Sequence, residues 1–85
     1  MSKHEKLIER ILGNPKDFTY DELKRLLSGF DYIEEQRGRT SGSAVLFYNE
    51  RTTDKICIHK PHPGNIIKGY VIKLVVEHLK KANVL

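Results

Sequence analysis

The residues best suited to chemistry lie in one stretch of the chain, between Cys57 and Gly69. Its side chains for proton transfer and phosphate binding are His59, Lys60, His62 and Lys68. Histidine transfers protons near neutral pH because its pKa lies there, and lysine stabilises negative charge on phosphate. Pro61 and Pro63 fix their own φ and bias the residues before them toward extended backbone. We therefore predict a stiff connector that presents these side chains in a fixed geometry.

Length and composition limit the kind of protein that could carry such a site. Eighty-five residues fit one domain, which we divide into an N-terminal helical extension, 1–17, and a core, 18–85. A net charge of +4 is compatible with nucleic acid without requiring it. The single cysteine excludes an internal disulfide framework. Neither a membrane-spanning run nor a signal-peptide pattern is present, so we expect a cytoplasmic protein with no membrane partner.

Apolar residues at helical spacing predict three helices. The first covers Lys3–Leu12, and the second follows Thr19, which forms a capping-box pattern with Glu22, and ends near Gly29. The third covers residues 67–82 and shows a broad apolar face, which Ile72 and Val76 widen. That face comprises Ile67, Tyr70, Val71, Leu74, Val75, His78 and Leu79.

Alternating apolar residues between the second and third helices predict three strands, over residues 32–37, 44–49 and 55–59. A tight turn at residues 51–52 sets Phe47 opposite Ile56 and Ala44 opposite His59 in an antiparallel pair. Ala44 and His59 then share the face that turns away from the buried residues. We predict an α+β fold, with a three-stranded antiparallel sheet whose one face is covered by helices and whose other face is open.

Two motifs in this region carry a family resemblance. Residues 42–47, Gly-Ser-Ala-Val-Leu-Phe, resemble the Gly-Ser-His-x-x-Phe motif of HicA toxins, and residues 61–64, Pro-His-Pro-Gly, followed by Lys-Gly-Tyr-Val at 68–71, resemble the second signature of that family. The similarity covers about residues 18–79 and leaves the first helix as an extension. It implies a fold like that of double-stranded-RNA-binding domains, with the order α-β-β-β-α. It also implies an mRNA-cleaving toxin that is neutralised by a HicB-like antitoxin.

The sequence departs from the family motif at Ala44, where the presumed catalytic histidine would stand. Alanine transfers no proton. Cleavage without a metal ion needs a base for the ribose 2′-OH, a proton for the leaving oxygen and positive charge on the phosphate. His59 and His62 are the remaining candidates for catalysis, and His59 would replace the missing base from the neighbouring strand. The alternatives are that His59 merely ends an edge strand and that His62 merely bonds within its turn.

Several residues are candidates for RNA contact through phosphate charge or backbone N–H groups. These are Arg37, Arg39, Gly42, Ser43, Lys60, Lys68 and Lys73. His78 is expected to be structural and His4 solvated. The four histidines and one cysteine lack the spacing of metal ligands, so we predict neither a metal nor another cofactor.

Three functions remain open at this point. The first is a HicA-like toxin that binds mRNA and cleaves or blocks it. The second is an RNA-binding domain of the same fold that has lost catalysis at Ala44. The third is a protein-interaction module that uses the open face of the sheet.

Overall fold

The computed structural model describes residues 3–35, 44–61 and 64–85. The elements in chain order are α1 (Lys3–Leu12), α2 (Tyr20–Gly29), β1 (Tyr32–Glu35), β2 (Ala44–Asn49), β3 (Asp54–His59) and α3 (Gly69–Lys81). The predicted α+β class, with its three-stranded antiparallel sheet and additional N-terminal helix, is confirmed. Within the described ranges, no helix has the length and apolar character that crossing a membrane requires.

Helix α2 begins where its sequence predicts. The Thr19 hydroxyl accepts from the Glu22 backbone N–H at 3.1 Å, and the Thr19 backbone N–H donates to Glu22 Oε1 at 3.0 Å. This reciprocal capping box satisfies two of the amides that a helix N-terminus leaves without partners. Arg10 adds a cross-link from α1, because its Nε donates to Glu22 Oε2 at 3.1 Å. The start of α2 is therefore held by its own residues and by α1.

The sheet has the strand order β1-β2-β3, and both pairs are antiparallel. The predicted register is confirmed, since Phe47 pairs with Ile56 and Ala44 pairs with His59. Strand β3 begins one residue earlier than predicted, at Asp54. The last two residues predicted for β1, 36 and 37, lie outside the described residues.

One face of the sheet joins the hydrophobic core. Side chains alternate along β2 and β3, so that those facing the helices are buried, apart from the half-buried Asp54, and those on the other face are exposed or half-buried. Ile11 of α1 belongs to the same buried cluster as α2, α3 and the inner sheet face. The buried side chains of that inner face are Tyr32, Val45, Phe47, Asn49, Ile56 and Ile58.

The buried face of α3 is narrower than the sequence predicts, and the helix begins at Gly69 rather than at residue 67. The side chains that face the core are Val71, Ile72, Val75 and Leu79. The prediction was wrong for Tyr70 and Leu74, which are 65% and 50% exposed. A helix packed on one side of a sheet buries only a stripe, and these two residues fall outside that stripe at 3.6 residues per turn. His78 lies at the edge of the stripe and is half-buried.

His4 is not solvated as predicted, because it joins α1 to the end of α2. Its Nε2 lies 3.0 Å from the carbonyl oxygen of Leu26 and donates a hydrogen bond to it. The ring meets Phe30 edge-on, with 4.7 Å between the ring centroids. It also packs on Gly29, where an added Cβ would lie 2.1 Å from a ring carbon. The extension is thus fixed to the core by an imidazole that caps a carbonyl of the last turn of α2.

Candidate nucleic-acid interface

The connector between β3 and α3 is anchored to the start of α2. Tyr20 donates its backbone N–H to the Asn65 carbonyl at 2.8 Å, and Ile67 donates to the Phe18 carbonyl at 2.7 Å. These bonds flank an antiparallel bridge between Thr19 and Ile66. The sequence predicts a stiff connector from its prolines, whereas the described part is fixed by backbone pairing with another segment. This pairing sets where α3 begins relative to the sheet.

His59 ends β3 on the open face, next to the position where the family motif has its histidine. It pairs with Ala44 across the two strands and its side chain is exposed. Side chains directly opposite each other in an antiparallel pair have Cβ atoms about 4.5–5.5 Å apart. The imidazole is therefore displaced from the motif position by one strand and stays on the same surface. Within the described residues it forms no hydrogen bond or ion pair that would occupy it.

A cleft of about 130 Å³ lies between the end of β3 and the start of α3. Its lining residues are His59, Lys60, Pro61, Ile67, Lys68, Tyr70 and Val71. Three of the predicted site residues therefore meet in one depression, and no carboxylate from the described residues lines it. The cleft can accept an anion without a competing negative charge at its wall.

The N-terminus of α3 adds two backbone donors to this positive surface. The N-cap residue, Lys68, makes no capping bond with its side chain. The amides of Gly69 and Tyr70 belong to the first turn, where a helix supplies no internal acceptor. A Cβ added at Gly69 would meet nothing within 4 Å, so the space beside these amides is open. Amides and lysine together favour a phosphate group here.

Lys60 points toward the helix layer rather than toward the open face. Its Nζ lies 5.4 Å from the centroid of the Tyr20 ring, and Lys24 lies 5.8 Å from the same ring. Lys24 also pairs with Glu34 at 3.3 Å. Burial, together with the negative charge of Glu34, raises the pKa of Tyr20. Lys60 thus contributes positive charge to the cleft while its ammonium group is held over an aromatic ring.

The remaining predicted site residues divide into two groups. Lys73 is exposed on α3, one turn beyond Tyr70, and does not line the cleft. The others lie outside the described residues: Arg37, Arg39, Gly42, Ser43 and His62. The structure therefore brings His59, Lys60 and Lys68 together and leaves Lys73 on the adjoining helix surface.

Tyr70 is a candidate site residue that sequence reasoning missed. The sequence assigns it to the buried face of α3, yet it is 65% exposed at the edge of the cleft. An exposed aromatic ring beside positive charge is a platform on which a nucleic-acid base stacks. The sequence did contain a signal for this role, because Tyr70 follows Lys68 and Gly69 directly at the start of the helix. Its spacing with the apolar residues of α3 favoured a buried position instead.

The open face of the sheet carries an apolar patch that runs from Ile33 of β1 to Leu46, near the His59 end of β3. Ile33 is 64% exposed, and Tyr48 and Leu46 are half-buried on the same face, as predicted. Ile33 pairs with Tyr48, and Leu46 pairs with the exposed Cys57. Apolar surface in one contiguous patch suits base stacking or contact with another protein.

No group of three His, Cys, Asp or Glu side chains among the described residues is placed to hold a metal ion.

Comparisons with known proteins provide no family assignment. No protein-family model, curated protein or solved structure matches this chain. The resemblance to HicA toxins rests on the sequence motifs, and any function for the chain has to be argued from its own residues.

Proposed function

We propose that this chain is a HicA-like toxin that binds mRNA and cleaves it with His59 as the proton-transferring residue. The observation that carries this proposal is the pairing of His59 with Ala44 on the open face of the sheet, at the edge of a cleft that holds Lys60 and Lys68. The imidazole lost from the motif is replaced from the neighbouring strand. As a toxin that acts on mRNA, the protein works in the cytoplasm.

The proposed reaction uses the ribose of the RNA itself as nucleophile. His59 takes the proton of a 2′-OH, and the oxygen attacks the adjacent phosphorus. The bond from phosphorus to the 5′-oxygen breaks, and that oxygen takes a proton from water. The products are a 2′,3′-cyclic phosphate and a 5′-hydroxyl end. Lys68 and the first amides of α3 stabilise the extra negative charge that develops on the phosphate.

The apolar patch beside the cleft supports the second part of the proposal, a HicB-like antitoxin as partner. Leu46 lies beside the Ala44–His59 pair on the open face, and Tyr48 and Ile33 extend the apolar surface toward the other end of the sheet. A protein that covers this patch as far as Leu46 would reach the neighbouring imidazole, so its binding would also block access to His59.

A specific observation favours a second candidate function, RNA binding without cleavage. Alanine occupies the motif position, and His59 is the one imidazole that the described residues place at the cleft. Acid–base catalysis of this reaction gains from two proton-transfer groups, so a single imidazole supports binding more directly than it supports rapid cleavage. Binding of a partner protein alone, through the apolar patch, is the third candidate.

One experiment separates the three candidates. End-labelled single-stranded RNA is incubated with the purified protein in EDTA, and binding and cleavage are measured separately over a range of salt concentrations. Cleavage that yields cyclic phosphate ends and is lost in His59→Ala supports the toxin. Salt-sensitive binding with intact RNA supports the second candidate. Absent or salt-insensitive binding contradicts both and leaves the protein-interaction module.

A further inference from the structure

A groove of about 520 Å³ separates α1 from α2, remote from the cleft at the start of α3. It is lined by residues of these two helices and by none of the residues assigned above to RNA contact. Helix α1 lies in the extension, outside the part of the chain that resembles HicA toxins. A function of this groove therefore uses none of the residues to which the proposed toxin activity is assigned.

The rim of the groove carries positive charge that the described residues do not neutralise. Lys3 and Lys6 on α1 and Arg25 on α2 are exposed, and none of them forms an ion pair within the described ranges. Glu22 is the one carboxylate among the described residues that line the groove. It is already bound by Arg10, through Nε–Oε2 at 3.1 Å and Nη2–Oε1 at 3.0 Å, and by the Thr19 cap.

The hydrogen bonds of Glu22 leave it little capacity for another cation. Burial acts to raise its pKa, but the bonds from Thr19 and Arg10 outweigh burial and lower the pKa. Glu22 stays ionised and committed to the start of α2. The exposed cations across the groove therefore present their charge to a ligand from outside the chain.

The floor of the groove is apolar. Leu7 is half-buried there, Gly29 offers backbone without a side chain, and His4 also lines the groove while its Nε2 is bonded to the Leu26 carbonyl oxygen. A nucleic acid that binds only through its phosphates would contact the cations on the rim but would not bury the apolar floor. A ligand that fits both features has carboxylates for the rim and an apolar side chain for the floor.

We propose that the groove between α1 and α2 binds an acidic amphipathic segment of a partner protein. An amphipathic helix lays its apolar face into a hydrophobic groove, and flanking carboxylates meet the cations on the rim. Lys3, Lys6 and Arg25 steer the segment and set its orientation, and Leu7 receives its anchor. Charge complementarity is what selects an acidic segment over a neutral or basic one.

The test uses a fluorescein-labelled peptide of Glu-Glu-Leu-Leu repeats and measures fluorescence anisotropy with the full chain. We expect this peptide to bind, and the double variant Lys6→Glu with Arg25→Glu to weaken its binding about tenfold, since two favourable rim contacts become repulsive. Lys55→Glu on the outer face of the sheet is the matched control for the single variant Lys6→Glu, which should also weaken binding. It makes the same charge change at an exposed site away from the groove and should leave the affinity within about twofold.

A second peptide and a single-stranded RNA test whether the groove binds an acidic amphipathic segment or another ligand. A peptide of Glu-Glu-Ser-Ser repeats has the charge without the apolar anchor and should bind much more weakly. Equal binding of the two peptides, or equal weakening by Lys55→Glu, overturns the proposal in favour of a general charge effect. If single-stranded RNA binds through Lys6 and Arg25 while the acidic peptide does not bind, the groove is a nucleic-acid surface and the proposal is wrong. Circular dichroism checks that each variant is folded.

Discussion

A histidine lies at each end of strand β3, His78 of α3 against its first residue and His59 as its last residue, and the two have opposite surroundings. At the first residue, Asp54, the carboxylate accepts from the Tyr32 hydroxyl and lies 2.7 Å from Nε2 of His78. At the last residue, His59 is exposed beside Ala44 with no hydrogen-bond partner among the described residues. One imidazole belongs to a network that joins sheet and helix, and the other faces solvent at the mouth of a cleft.

This difference separates a structural histidine from a candidate catalytic one. Burial acts to raise the pKa of Asp54, but the hydrogen bonds from Tyr32 and His78 outweigh it and lower the pKa. Burial, together with the hydrogen bond to this carboxylate and its negative charge, raises the pKa of Tyr32. The network therefore keeps an anion between two donors and ties the start of β3 to α3 and β1. A group committed in this way stabilises the fold, whereas His59 remains available to a substrate.

The largest expected effect is the loss of cleavage on removing the exposed imidazole. His59→Ala should lower the rate of RNA cleavage about 100-fold or more, because a positioned acid–base group contributes that much. His78→Ala is the matched control, since it removes an imidazole from the other end of the strand region and should leave the cleavage rate of the folded protein unchanged. Single-turnover assays on labelled RNA measure both. If both variants lose cleavage activity equally, His59 and His78 do not have the different roles assigned to them.

Stability should show the reverse ranking. Asp54→Ala removes the acceptor of the Tyr32 hydroxyl. Tyr32 is only 1% exposed. A buried donor left without a partner costs about 1–3 kcal/mol of unfolding free energy. His59→Ala changes an exposed side chain and should stay within about 0.5 kcal/mol of the parent protein. Urea unfolding followed by circular dichroism gives both values, and a larger loss for His59→Ala would contradict the assignment of roles.

The pH dependence of stability should identify the Asp54 network. The pKa of Asp54 in the folded chain lies below its ordinary value of 3.8, so the unfolded chain binds protons more readily. Its stabilising contribution is complete above the ordinary pKa and is lost as the pH falls through the lowered one. Asp54→Asn should therefore reduce the loss of stability below about pH 4. Glu22 titrates in the same direction, so part of the loss should persist in this variant; an unchanged acid profile would exclude Asp54 as a contributor.

The smallest expected effect is on RNA affinity at the start of α3. Lys68→Ala should weaken binding to similar degrees across RNA sequences and reduce the slope of log affinity against log salt by about 1, as loss of one phosphate contact does. Lys80→Ala removes another exposed lysine, from the last turn of α3, and should leave that slope unchanged. Anisotropy titrations at several salt concentrations measure the two slopes. A sequence-dependent loss in Lys68→Ala would point to base contact instead.

Local patterns predicted most of the secondary structure. Thr19 and Glu22 lie three residues apart, so the capping box is complete within one turn and needs no distant partner. The hairpin of β2 and β3 is similarly local, since the short turn after Asn49 and the alternation of Phe47 and Ile56 set its register. That register was sufficient to predict Ala44 opposite His59.

Long-range contacts decided the details that the sequence predicted wrongly or did not predict. Nearly every side of α3 offers an apolar residue, so the packed stripe depends on where the sheet lies, and Tyr70 and Leu74 fall outside it. The position of His4 depends on the approach of α1 to Gly29, more than twenty residues away. Lys60 lies over Tyr20 because the connector is paired with the segment before α2.

The sequence by itself determined the order of elements, the antiparallel register and the pair of Ala44 and His59, because each follows from periodicity and turn length within a few neighbouring residues. Only the tertiary structure decided which histidine is held by a carboxylate, which lysines meet at the cleft and which cations line the groove beside α1. Those outcomes depend on how separate segments approach one another, and the balance of burial, charge and hydrogen bonding is settled by that packing.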